Sequence, residues 1–452
     1  MRIRLAGVCL IALAVSAFLV DKARAQQPSS VTVQQTNTEA AGAYVIRNAR
    51  IVTVSGAEIE NGTIVIRNGH IEAIGPASLS VSAGGAEVID ARGLSVYPGM
   101  IDAGTSIGLV EIGSGAPGTV DLAEAGDMNP NAQAIIAVNP HTAHVNVTRV
   151  NGVTTVVTMP TGGIISGQAA VINLDGTTPL EMAVVPSAAL VINFPRVSTT
   201  SFDALFNPVQ GNITEALTTR DRQLDQLRKI LRDAESYGKA QDAYARDHSL
   251  PRPDRNVMLA SLVPFIRNEH PVIIRADRET EIRAAVRFTE EMRLQHPIIL
   301  GGNEAWKTAA LLKEKNVAVI LTGVLDLPTR EDDFYDTLYA NAGKLQAAGV
   351  RFCISTGDTG AHVRDLPFHA GMAAAFGLSR TEALKAVTLY PAQIMNVADR
   401  MGSIEQGKVA NLVITDGDLL DARTHVRYLF INGRQLPLTS RHTELYEQFK
   451  NR

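Results

Sequence analysis

Hydrophobic positions along this chain follow two different rhythms. Between residues 44 and 97 they form short β-type runs at 44–46, 51–54, 63–67, 70–74 and 87–89. Turn dipeptides, Asn61-Gly62 and Asn68-Gly69 among them, punctuate these runs. Asn68-Gly69 lies between Ile64-Val65-Ile66 and Ile71, a spacing that predicts a tight hairpin. Near the other end, residues 426–431 followed by Asn432-Gly433 repeat the strand-and-turn pattern. Several short strands with no helix between them predict a small β-sandwich shared by the two ends of the chain.

The middle of the chain alternates instead between apolar runs and helical periods. A helix over 144–150 precedes a Gly-led strand at 152–157. Strands at 271–276, 298–301, 317–322 and 351–355 are followed by helices over 279–294, 304–315, 332–348 and 367–376, and a helical stretch at 380–397 closes the series. Repeated strand–helix units predict an α/β architecture, a (β/α)8 TIM barrel with some distortion. The charged segment 221–247 reads as an outer helix with a solvated face. The expected layout is a leader at 1–25, a flexible lead at 26–42, a composite β-sandwich from 43–97 and 402–440, and the barrel from 98 to 401.

Composition narrows the function classes. The 452 residues are 45% hydrophobic and 19% charged with a net charge of −4, enough apolar content for a large core and no electrostatic case for nucleic acid. Arg2 and Arg4, an apolar stretch from Leu5 to Val20, and Ala23-Arg24-Ala25 form the three parts of a cleavable signal peptide. Cleavage is expected after Ala25, with export to the periplasm or medium and no membrane contact except through that segment. Only Cys353 would remain, within the apolar Val350-Arg351-Phe352-Cys353-Ile354, and it reads as a packed core thiol.

The two rhythms meet at Val96-Tyr97-Pro98-Gly99-Met100-Ile101-Asp102-Ala103-Gly104-Thr105-Ser106, an apolar lead-in, a turn and a short buried strand. This stretch resembles the first barrel strand of the amidohydrolase superfamily, in which Pro-Gly-hydrophobic-Ile-Asp precedes His-x-His. Gly402-Ser403-Ile404-Glu405-Gln406-Gly407-Lys408-Val409-Ala410-Asn411-Leu412-Val413 is similar to the family's lead into its closing sandwich strands. Gly163-Ile164-Ile165-Ser166-Gly167-Gln168 resembles a loop of exported, imidazolonepropionase-like members. The resemblance implies a hydrolase of non-peptide carbon–nitrogen bonds. In that chemistry a divalent metal at the C-terminal ends of the strands activates water, and a strand-eight Asp moves the proton.

Transferred residue by residue, the resemblance implies a degenerate metal site. Gly104 and Ser106 stand at the two first-strand histidine positions, and Arg275 stands at the strand-five ligand position. A guanidinium does not ligate cations. Strand six ends in Leu300-Gly301-Gly302, and no bridging Lys or Glu is evident before Pro271. Asp358, in Ser355-Thr356-Gly357-Asp358-Thr359, resembles the strand-eight Asp and is the catalytic candidate. Catalytic zinc takes about three protein ligands, so the family pattern supplies no metal set. A rebuilt set of His141, His144, Asp358 and His362 is the alternative if zinc or another divalent metal is retained; otherwise the residues imply no cofactor. Arg275, Asp277, Thr105 and Ser106 are the candidate binding residues, with Arg275 either ion-paired or gripping a carboxylate or phosphate. Two functions follow: a carbon–nitrogen hydrolase, or an inactive relative that binds a small ligand or pairs with another subunit, either its own copy or an intact paralogue.

Overall fold

The structure, a computed structural model, describes residues 42–80, 84–113, 116–202, 208–328 and 330–452. The expected leader at 1–25 and most of the flexible lead lie outside the described residues.

The first sheet is built from both ends of the chain. Its strands are β1 (Tyr44–Ile51), β2 (Ile59–Arg67), β3 (His70–Pro76), β4 (Glu87–Asp90) and β5 (Ser95–Pro98). To these the C-terminal segment adds three strands, which become β16 to β18 when numbering follows the chain: Leu412–Thr415, Val426–Ile431 and Arg434–Leu436. The order is β18-β17-β16-β5-β1-β2-β3, with β4 also paired to β1, and the antiparallel β16–β5 ladder joins the two ends. Ile46, Ile51, Ile64, Ile66, Val96, Leu412 and Phe430 bury its own core. Asn68-Gly69 and Asn432-Gly433 form the two tight hairpins that the sequence predicts, each with both residues at positive φ. Asn61-Gly62 does not separate strands. It lies inside β2 as an irregularity opposite Ala49, where Asn61 adopts φ 51° and the ladder register shifts.

The second sheet is the barrel. Its strands are β6 (Met100–Thr105), β7 (Val153–Thr158), β8 (Ile165–Asn173), β9 (Ala183–Asn193), β12 (Val272–Ala276), β13 (Pro297–Gly301), β14 (Ala318–Leu321) and β15 (Phe352–Ile354). A separate short hairpin supplies β10 (Thr200–Phe202) and β11 (Pro208–Gln210). The barrel strands follow one another around the sheet in chain order. All neighbours are parallel except on the two sides of β8, which runs antiparallel to both β7 and β9. That reversal is the barrel's distortion. Alternate residues, among them Ile101, Ala103, Val157, Val171, Val191, Ile273, Leu300, Ile320 and Cys353, fill the interior. Cys353 is fully buried, and burial together with the nearby Asp102 charge holds its thiol well above the ordinary range.

Two local expectations are corrected. The stretch 165–168 begins β8 and is not a loop, because its residues pair with β9 on one edge while Ile165 and Gln168 bridge to Met128 and Gln133 on the other. The helix expected at 332–348 forms only over Asn341–Ala348. Upstream of it, Arg330 bonds Asp332 and the backbone closes i→i+3 turns at Asp333 and Thr337, which displace the helical ladder. The charged outer helix is longer than expected, running Ile213–Arg246, and packs Leu227, Leu231, Ala234 and Gly238 toward the barrel side.

Candidate functional site

The strand ends carry the mouth of the barrel. On β6, Asp102 is fully buried, and its carboxylate gathers four donors. They are Ser355 Oγ, the Thr356 hydroxyl at 2.6 Å, the Thr356 amide at 3.1 Å and the Gly104 amide at 3.2 Å. This cluster ties β6 to the end of β15 where the circuit of strands closes. Loss of water raises the Asp102 pKa above the ordinary carboxylate value, and the donated hydrogen bonds oppose that rise.

The family's ligand positions can be tested for room. A Cβ on Gly104 would lie 2.8 Å from Ser355 Oγ and 3.0 Å from Leu300 Cδ1, with Ile320 beyond. A side chain on Gly301 would overlap the Asp277 carboxylate, and a Cβ on Gly302 would lie 2.8 Å from Val319 Cγ1. Packed neighbours therefore occupy the first-strand and strand-six ligand space. Ser106 is 5% exposed and donates to the Met159 carbonyl at 2.8 Å, and Thr105 is 2% exposed and donates to the Val157 carbonyl at 3.4 Å. Both hydroxyls fasten β6 to β7 and neither faces an open space.

The alternative metal set is not assembled. The Asp358 carboxylate accepts from the amides of Gly360 (2.7 Å) and His362 (3.1 Å), stabilising its own turn. His362 is exposed and pairs with Asp365 at 3.2 Å. His144 Nε2 lies 3.1 Å from the Glu111 carbonyl, while His141 is exposed with its amide on Asn139. Among the described residues no group of three or more His, Cys, Asp or Glu side chains is placed to hold a metal ion. The donor set does not fit one.

Arg275 remains. It lies two residues after the inward-facing Ile273 on β12 and so shares its face, which aims it into the barrel mouth. It is exposed, yet the protein around it withdraws enough water to lower its pKa, with Asp277 acting in the opposite sense. Burial first, then the Glu281 charge, raises the Asp277 pKa, while the Asn303 amide, Arg275 and Arg196 hold it down. Beside Arg275, the end of β9 opens a cleft of 530 Å³ lined by Asp127, Asn193, Phe194, Arg196, Asn212 and Glu215, among others. Asn193 pairs with Arg275 across the β9–β12 ladder and donates to the Gly163 carbonyl at 2.8 Å. Sequence reasoning missed this cleft because it missed β9. Pro186 argues against a strand, but it lies in the first half of β9, before the ladder to β12 begins at Leu190. His369 was also missed. It is buried on the helix Leu366–Ala375 within reach of the Asp358 and Asp365 charges.

Residues 267–436 match the sequence profile of the Amidohydrolase family. Over this segment the chain is similar to the amidohydrolase superfamily. Among solved structures, an amidohydrolase from Thermotoga maritima MSB8 aligns at TM-score 0.76 and 23% identity, covering 87% of this chain and 99% of that one. A Xaa-Pro dipeptidase aligns at TM-score 0.52 and 16% identity, covering 87% of this chain and 100% of the dipeptidase. Molinate hydrolase aligns at TM-score 0.55 and 15% identity over 88% of this chain and 96% of its own. These likenesses are ones of fold. No curated protein matches the chain. In amidohydrolase terms, the Asp of Pro-Gly-hydrophobic-Ile-Asp serves here as the lock between the first and last barrel strands. The Asn of the C-terminal motif, Asn411, is the joint between barrel and sheet. It donates to Thr155 Oγ1 (3.2 Å) and Asn173 Oδ1 (3.0 Å) and accepts from the Asn432 amide (2.8 Å).

Proposed function

We propose that this chain is a metal-independent, ligand-binding relative of the amidohydrolase superfamily's hydrolases. The observation that supports it best is the closed packing at Gly104. A first-strand histidine there would have to displace Ser355 and Leu300, and Ser355 is itself bonded to the buried Asp102. Catalytic zinc needs about three protein ligands, and among the described residues no such set is placed together. What the mouth offers instead is Arg275 beside an open cleft.

The test is elemental analysis of the purified mature protein, paired with thermal melts with and without a strong chelator. The expected result is no stoichiometric metal and an unchanged Tm, because an ion bound only to the folded state would add its binding free energy to stability. Near-stoichiometric zinc, manganese or iron lost together with several degrees of Tm would overturn the reading. A second reading, a hydrolase of carbon–nitrogen bonds, is favoured by the family match over residues 267–436 and by Asp358 at the strand-eight position. It predicts that turnover of an amide or cyclic-amide substrate falls sharply in Asp358→Asn. Export through the 1–25 leader, and association with a second copy or an intact paralogue, complete the proposal. N-terminal sequencing of protein from the periplasm, and its native mass, test these two parts.

A further inference from the structure

Two arginines at the barrel mouth have charges that the protein does not neutralise by contact. Neither the Arg275 nor the Arg196 guanidinium makes a hydrogen bond or an ion pair within 4 Å among the described residues. They are near neighbours. β9 and β12 are paired, the Phe194 amide donates to the Arg275 carbonyl at 3.3 Å, and Arg196 follows two residues later on the wall of the 530 Å³ cleft. Both act on the same carboxyl, that of Asp277. That carboxyl is turned away, lying against Gly301 and within reach of the Asn303 amide. A guanidinium drawn partly out of water without a partner is destabilising unless a ligand supplies the missing charge.

We infer that Arg275 and Arg196, with the cleft between β9 and the helix Ile213–Arg246, form a binding site for a small monocarboxylate. The inference rests on the metal-independent reading above and names its ligand class. The planar fork of an arginine matches a carboxylate through two parallel N–H···O bonds. The cleft's volume suits a small organic molecule, and Phe194 with Pro195 gives it an apolar wall beside the polar Asn193 and Asn212. Charge selects the carboxylate over phosphate. Asp127 and Glu215 line the same cleft and Asp277 lies near it, so a dianion meets more repulsion than a monoanion.

The test is titration calorimetry of the full mature chain with benzoate, propionate and inorganic phosphate at neutral pH, up to about 50 mM, a range that reaches affinities weaker than millimolar. Saturable binding of a carboxylate is expected, stronger than that of phosphate. Affinity should fall at least about tenfold in Arg275→Gln and in Arg196→Gln, with Arg275→Lys falling between because it keeps the charge and loses the fork. Unchanged melting curves establish that the variants are folded. Neither substitution removes a side-chain hydrogen bond or ion pair among the described residues, so both should pass. No saturation by either carboxylate, equal affinity in the variants, or tighter binding of phosphate would each overturn the inference. Repeating the titration after chelation and after zinc addition separates the two readings. Carboxylate binding that requires zinc would sink the metal-independent reading, whereas absence of binding in both conditions sinks only the carboxylate site.

Discussion

At the scale of single residues, the clearest forecast concerns Gly104. Restoring the family's histidines by Gly104→His with Ser106→His should not restore a metal site. The imidazole at 104 meets Ser355 and Leu300 at closer than van der Waals range, and overpacking of this kind costs about 1–3 kcal/mol. The expected outcome is a lowered urea midpoint and no zinc retained after dialysis; a stable variant holding one zinc would contradict it. His369 gives a pH forecast. Burial pushes its pKa down to about 4, so the folded state holds the neutral ring while the unfolded chain takes up a proton near pH 6.5. Its stabilising effect is therefore complete above pH 6.5 and is lost as pH falls toward 4. The loss amounts to about 3 kcal/mol at the low end. Asp358 and Asp365 offset part of the burial effect. In His369→Gln the denaturant midpoint should fall less steeply between pH 6.5 and 4 than in the native chain. Parallel pH curves would remove His369 from the account.

At the scale of elements, the junction between barrel and sheet depends on few groups. Asn411 precedes β16 and is 6% exposed, with its amide bonded to β7 and β8 and its carbonyl oxygen to the hairpin at Asn432. Asn411→Ala leaves Thr155, Asn173 and the Asn432 amide short of partners, at about 1–3 kcal/mol per buried group left unsatisfied. The expected readout is a drop of several degrees in Tm and faster amide exchange in β16 and β17. A variant as stable as the parent would mean that water replaces Asn411. The motif around it is rigid for the same kind of reason. Lys408 donates to Ser403 at 2.6 Å and to Glu405 at 3.0 Å, and Ser403 donates to Glu405, so the Glu405 carboxyl is held down to about 2. Much of the fold was legible at this scale. Strands with unbroken β-branched runs and the two Asn-Gly hairpins announce themselves locally, because period and turn chemistry are properties of a few adjacent residues. Elements whose state is set by distant partners did not. β9 carries a proline, and β8 looks like a glycine loop until both neighbours pair with it.

For the molecule as a whole, the underside of the barrel carries a buried ionic knot. Asp175, 2% exposed, sits between Arg149, at 4.0 Å, and Arg434 of β18, so it joins the barrel to the last strand of the sheet. Removing one member strands the others in a desolvated site, and Asp175→Ala should cost about 3–5 kcal/mol by chemical denaturation. A loss below about 1 kcal/mol, the level of a surface pair, would show that water reaches the site. The sequence by itself determined the two sheets, their contributions from both ends of the chain, and the family's signature strands, since these reside in local periodicity and short motifs. By resemblance it also set Gly104 and Ser106 at the positions of the family's first-strand histidines. Only the tertiary structure decided what fills the space instead. Ser355, Leu300 and the Asp277 carboxylate reach Gly104 and Gly301 from strands distant in sequence. It also decided which polar side chains are engaged by neighbours, as those of Thr105, Ser106 and Asp358 are, and which have no hydrogen bond or ion pair among the described residues, such as those of Arg275 and Arg196. A residue's type fixes what it can do chemically, whereas its partners, brought together by folding, fix whether that capacity is free.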